Sequence, residues 1–328
     1  MNTLLRRAVL SAGAITTAAA LAASSVAPAA AAGANRGHDA APARISLPAG
    51  FPPESIAIEH GTAYLGNRVD GDIYALNLAT GKGRVLSEGA APGADCQMAC
   101  GSLGLTIDSR RHRLWVAGGG DGDARVIDLR SGAVLAEYQL APAGTSTFID
   151  DVFLTDDGAW FTDAFDNALY RVKDGRVTKV PLRGDWVQVP DEFNANGLTT
   201  TPDGRALLVD NSATGELFRV QKNGTATRVD LDGQTLAHPD GMLREGRTLY
   251  AVQSDINAVA VIHLDRSGAS GKIVNTLTSA DFDIPTAIAR DGGRLYVPNA
   301  RFEVEDTPST EYWLTALATR RGTGHGTE

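Results

Sequence analysis

The sequence predicts an all-β protein, a six-bladed β-propeller with four antiparallel strands per blade. Three observations carry this: a unit that recurs six times, an excess of glycine, and no amphipathic helical stretch of useful length. The clearest unit spans residues 197–210 and 215–220 and reads as a strand, a Pro202-Asp203-Gly204 turn, a second strand, a short loop and a third strand. Further copies begin the segments 55–67, 104–118, 151–163, 241–254 and 287–299. Third strands follow at 71–78, 124–129, 168–172 and 258–264, and a fourth at 134–140. Many short strands need many tight turns, which accounts for the 36 glycines.

The sixth unit has two clear strands and then residues 312–317, so its outer strand is missing. Arg44-Ile45-Ser46-Leu47 alternates polar and apolar ahead of the first unit and is expected to fill that gap, closing the ring with both termini. The propeller is thus predicted over 43–317, with disordered segments at 33–42 and 318–328.

Residues 1–32 read as a cleaved export signal. Arg6 and Arg7 precede an alanine-rich apolar stretch that ends at Ala30-Ala31-Ala32, and Ser11, Gly13, Thr16 and Thr17 break it too often for a membrane span. Arg6-Arg7-Ala8-Val9-Leu10 resembles a twin-arginine leader, so either general or folded-state export is compatible and a secreted, extracellular protein is expected. Without the leader the chain carries 28 Lys+Arg against 39 Asp+Glu, a net charge of −11, which argues against nucleic acid as a partner. A monomer acting on a small molecule, with no membrane span once the signal is removed, is expected. In an oxidising compartment Cys96 and Cys100, the only two cysteines, are expected to close a small disulfide loop.

Anchoring each unit on the residue ahead of its first strand picks out Glu54, Leu103, Asp150, Asn196, Asp240 and Thr286, spaced by 49, 47, 46, 44 and 46 residues. Innermost strands run along a propeller's channel, so these anchors should face one another at one mouth. Four carry side-chain oxygens. Three carboxylates converging there repel unless a cation neutralises them or their pKa values rise. With no Cys or His at the anchors, the donors suit one hard divalent ion, Ca2+ first, with Mg2+, Mn2+ or Zn2+ as alternatives. The competing reading is that these residues cap strands and bind turn amides.

Pro239-Asp240-Gly241-Met242, Asn196-Gly197-Leu198 and Asp150-Asp151 followed by Gly158-Ala159-Trp160-Phe161 resemble the regucalcin, gluconolactonase and luciferin-regenerating family of six-bladed propellers over roughly residues 50–300. The resemblance implies a divalent metal held by Glu54, Asn196 and Asp240, with Asp150 facing it where the family more often has asparagine. It also implies hydrolysis of a lactone or related ester, with Asp240 or Asp150 as the general base. His238 is expected beside the site rather than in it. Sugar-lactone members tend to carry an arginine at the position of Phe148. That departure, with Phe165, Phe302 and Trp186 in loops at the same mouth, points to a more apolar substrate pocket. Two other readings are a calcium-binding propeller serving as a non-catalytic scaffold and a non-hydrolytic enzyme of the strictosidine synthase type.

Overall fold

The computed structural model describes residues 43–89 and 101–319. Cys96 and Cys100 lie outside the described residues, as do the predicted signal, the linker to residue 42 and the tail from residue 320. Strand β1 is Arg44–Ser46. Blade 1 holds β2 (Pro53–Glu59), β3 (Thr62–Asn67), β4 (Ile73–Asn77) and β5 (Lys82–Ser87). Blade 2 holds β6 (Leu105–Asp108), β7 (Arg113–Ala117), β8 (Asp123–Asp128) and β9 (Val134–Gln139). Blade 3 holds β10 (Ile149–Thr155), β11 (Gly158–Asp163), β12 (Ala168–Lys173) and β13 (Arg176–Pro181). After a two-residue strand β14 (Arg183–Gly184), blade 4 is built from β15 (Ala195–Thr200), β16 (Leu207–Asn211), β17 (Glu216–Val220) and β18 (Thr225–Arg228). Blade 5 holds β19 (Pro239–Glu245), β20 (Thr248–Gln253), β21 (Ala258–Leu264) and β22 (Gly271–Thr278). Blade 6 has β23 (Ala289–Asp291), β24 (Arg294–Pro298) and β25 (Trp313–Ala318).

Every blade is an antiparallel sheet in sequence order, and blade 6 is completed by β1, which pairs Arg44, Ile45 and Ser46 with Thr315, Leu314 and Trp313. The ring therefore closes through the chain's N-terminal strand, as the alternation of residues 44–47 predicts. Two details differ from the sequence reading. Strand β14 adds a fifth, parallel strand to the outer edge of blade 4, and β25 runs one residue beyond the predicted end of the propeller. The only helical turn among the described residues is a 3-10 turn at Ser254–Ile256, and no helix there is long and apolar enough to cross a membrane.

Six apolar clusters hold the ring, one at each blade interface. Trp160 and Leu169 of blade 3 pack on Leu198, Val209 and Phe218 of blade 4. At the seam, Ile45 and Leu47 pack with Leu65 and Leu76 of blade 1 and Leu314 of blade 6. Strand β1 is held by three residue pairs, by flanking backbone bonds from the Ala316 N–H to the Ala43 carbonyl and from the Leu47 N–H to the Tyr312 carbonyl, and by this cluster, so a chain beginning at residue 48 loses a strand and two buried apolar side chains. We expect that truncation to lower the melting temperature by roughly 10 °C in a thermal scan, since the two side chains alone represent about 3–6 kcal/mol of burial.

Candidate metal centre

The anchors of four blades lie within the innermost strands, each as the second residue, and not ahead of them as the repeat suggested. The reason is a bulge repeated in those four blades. In blade 1 the pairing jumps from Pro53↔Asn67 to Ile56↔Leu65, leaving Glu54 and Ser55 opposite a single residue. The same shift occurs at Asp150-Asp151, Asn196-Gly197 and Asp240-Gly241. A bulge bends the strand and re-aims the extra side chain. Blades 2 and 6, whose anchors are Leu103 and Thr286, show no such shift.

A collar of hydrogen bonds locks the anchor regions of neighbouring blades together. The Leu105 N–H donates to the Ser55 hydroxyl at 3.2 Å, and the Gly104 N–H to the Asp150 carbonyl at 2.7 Å. The Leu198 N–H donates to Asp151 Oδ2 at 3.0 Å, and the Ser212 hydroxyl to the Pro239 carbonyl at 2.5 Å. The Gly241 N–H donates to the Thr286 carbonyl at 2.8 Å, and the Thr286 hydroxyl closes the circle on the Glu54 carbonyl. The collar explains the Gly197 of the Asn-Gly-Leu motif. A Cβ there would lie 2.4 Å from the Asp240 carbonyl oxygen and 2.5 Å from Asp210 Oδ2.

Within the collar, Glu54, Asp150, Asn196 and Asp240 line one cavity of about 10 Å3, room for a single small occupant. All four are buried, between 5% and 8% exposed. Below them the channel widens to about 560 Å3 between the remaining lengths of the innermost strands. Asp240 is tightly held: Oδ1 accepts the Gly241 N–H at 2.9 Å and Oδ2 the Ser254 hydroxyl at 3.0 Å. Burial raises its carboxyl to about 7 in spite of those bonds. Glu54 and Asp150 are pushed well above the usual carboxylate range, first by burial and then by the charge of Asp240.

Two further acids belong to the site and were not picked out as site residues from sequence. Asp151 as a residue is partly exposed, yet its carboxylate is enclosed, and burial lifts it to about 7 against the N–H donors of Leu198 and Val152. Asp210, at the end of β16, is fully buried. Its Oδ1 accepts the Gly197 N–H at 3.0 Å, its Oδ2 has no partner among the described residues, and burial followed by Asp240 raises it strongly. Asp210 lies fourteen residues from Asn196 in the repeat unit itself, but that unit gives no sign that its side chain turns inward.

This donor set fits a hard divalent cation. Several buried carboxylates share an enclosure with one amide, and among the described residues the cation that bears on Glu54, from a distance, is Arg68. Among the described residues no three His, Cys, Asp or Glu side chains stand in metal-holding geometry.

The predicted aromatics divide into three places. Phe148 is buried beneath Phe165, at 6.2 Å between ring centroids, and both contact Phe193, at 5.3 and 5.0 Å. Phe302 is 43% exposed and stands apart in blade 6, under the Arg68 guanidinium at 5.1 Å. Trp186 is buried against Phe218 at the interface of blades 3 and 4. His238 takes a left-handed backbone conformation, with φ 45°, just ahead of Pro239, and its Nδ1 is buried without a partner among the described residues.

Among solved structures, the chain is similar to the calcium-binding protein regucalcin from Agrobacterium tumefaciens, with 18% identity, a TM-score of 0.58, and 84% of this chain covering 93% of that one. A gluconolactonase from Xanthomonas campestris gives 17% identity and a TM-score of 0.58 over 84% of this chain and 89% of that chain. The major allergen of Malassezia sympodialis gives 18% identity and a TM-score of 0.67 over 88% and 100%. This chain has the regucalcin and gluconolactonase fold. No protein-family profile matches the sequence, and no curated protein sequence matches it. At these identities the likeness establishes the six-bladed fold and leaves the chemistry to the residues at the collar.

Proposed function

We propose that this propeller, exported from the cell, binds one divalent cation at Glu54, Asp150, Asn196 and Asp240 and hydrolyses a lactone or related ester there. The observation that carries the reading is the repeated bulge, which directs three buried carboxyls and one amide from four blades into a single small cavity. The names of two similar structures, a gluconolactonase and a calcium-binding protein, support it.

When bound, such a cation supplies Lewis acidity toward the carbonyl oxygen and lowers the pKa of a nearby water. The chain's residues do the rest. Asp240, with both carboxylate oxygens already accepting hydrogen bonds from Gly241 and Ser254, is held in one orientation and serves as a ligand. Burial and the like charges of Asp240, Asp151 and Asp163 raise Asp150, which favours its taking up a proton. It accepts the proton of the attacking water at a carboxylate oxygen and returns it to the leaving alkoxide. The enclosing collar fixes Asp150 relative to the other three side chains.

Replacing Asp240 or Asn196 with Ala should weaken calcium binding by at least tenfold in isothermal titration. The conservative Asp150→Asn keeps an oxygen donor, so it should retain calcium while kcat on a lactone falls on the order of a hundredfold, the usual contribution of a general base. Undiminished calcium affinity in both Ala variants would remove the ring as a metal site. Full activity of Asp150→Asn would move the base elsewhere.

A further inference from the structure

Opposite sides of the anchor mouth carry different chemistry. The loops that join second to third strands, and each blade to the next, lie at the end of the ring where the innermost strands begin, so they surround the anchors. In a ring of six, blade 3 stands opposite blade 6. Blade 3 presents the rings of Phe165 and Phe193, both only partly buried, over the buried Phe148. Val187, in the same chain entry to blade 4, is 43% exposed.

Across the mouth, at the seam of blades 1 and 6, stands Arg68. Its Nη2 pairs with Asp306 at 2.7 Å, and its guanidinium lies over Phe302. Tyr312 donates its hydroxyl to Asp306 as well, which fixes that carboxylate. The Arg68 side chain is 13% exposed and its Nε is buried without a partner among the described residues. Arg68 lies in the β3–β4 loop and its partners Phe302 and Asp306 in the β24–β25 loop, so the guanidinium stands among the loops at the anchor end of the ring. Since Asp306 already balances that charge, Arg68 keeps hydrogen-bond donors for a neutral oxygen and gains little from a second carboxylate.

We propose that the substrate is a neutral amphipathic lactone, with an alkyl or acyl chain on Phe165 and Phe193 and an acceptor oxygen on Arg68. This rests on the hydrolase reading for the word substrate, but the preference itself concerns binding and can be measured without turnover. It gives Arg68 and Phe193 specificity roles that neither repeat register nor family motif indicates. A polyhydroxylated sugar lactone fits poorly, because its hydroxyls would be set against the phenylalanine rings with no polar partners.

The test uses the full calcium-loaded protein and isothermal titration with four probes and a sugar lactone. γ-Nonalactone exceeds γ-valerolactone by four methylenes and should bind about tenfold more tightly or better. α-Hydroxy-γ-butyrolactone should bind several-fold more tightly than γ-butyrolactone through one added hydrogen bond. Phe193→Ala should erase the chain-length ratio and spare the hydroxyl ratio. Arg68→Met should do the reverse, and Arg68→Lys should restore part of the hydroxyl ratio, a rescue that a purely structural arginine would not give. Melting curves confirm that each variant is folded. Tighter binding of D-glucono-δ-lactone than of γ-nonalactone, or a ratio that survives its own variant, overturns the proposal. Binding with these ratios but without turnover sustains it and defeats the hydrolase reading. Turnover without them does the opposite.

Discussion

Stripped of divalent ions by a chelator, the protein is expected to melt about 10 °C lower at pH 8 than at pH 5, and added calcium is expected to remove most of that difference. The cause lies in the carboxyls at the collar. Asp151 and Asp240 both have folded values of about 7 against ordinary values of 3.8, and burial is the first cause in each. An acid whose pKa is raised on folding binds its proton more tightly when folded. Its contribution to stability is therefore complete below pH 3.8 and lost as the pH climbs to about 7. Over the interval from pH 5 to about 7 the two carboxyls account for on the order of 5 kcal/mol. Glu54, Asp150 and Asp210 act in the same direction. A divalent cation removes the penalty by favouring the ionised forms, so the pH dependence should flatten with metal. Equal melting temperatures at the two pH values in chelator would mean that the acids are solvated and the collar open.

The second large effect is predicted at a glycine. Gly197→Ala should abolish measurable calcium binding and destabilise the fold by several kcal/mol, because the new methyl would need the space of the Asp240 carbonyl and the Asp210 carboxylate. Neither neighbour can yield easily. The Asp240 backbone belongs to the strand that pairs with β20, and Asp210 is tied to the Gly197 N–H itself. Gly293→Ala provides the control. A methyl group at that glycine would meet nothing within 4 Å, so the change should leave melting and calcium affinity close to the parent's. If Gly197→Ala bound calcium like Gly293→Ala, the close approach of blades 4 and 5 at the mouth would not be what sets the ring.

Much of this molecule follows from the order of its residues. Six units at nearly constant spacing, each alternating apolar and polar residues and five of them with glycine in the first turn, cannot bury their faces alone and must stack. That is why the blades, their number and the closing role of residues 44–47 could be read directly. The four oxygen-bearing anchors were also legible, because equivalent positions in a repeat become neighbours around an axis.

The tertiary structure decided what those neighbours do. Whether Asp150 or Asp240 has its oxygens occupied depends on Ser254, a residue fourteen positions from Asp240 that turns inward only because blade 5 packs on blade 6. The acids Asp151 and Asp210 sit in ordinary strand contexts, and only the bulges bring them to the collar. The division of the aromatics is likewise a matter of packing: Trp186 fills an interface, Phe148 supports Phe165 and Phe193, and Phe302 pairs with Arg68. Periodicity is a local property of the chain and specifies which faces are buried. Burial depth, hydrogen-bond occupancy and the side of the mouth a residue occupies are set by contacts between segments far apart in sequence, and these the chain acquires only when the ring closes.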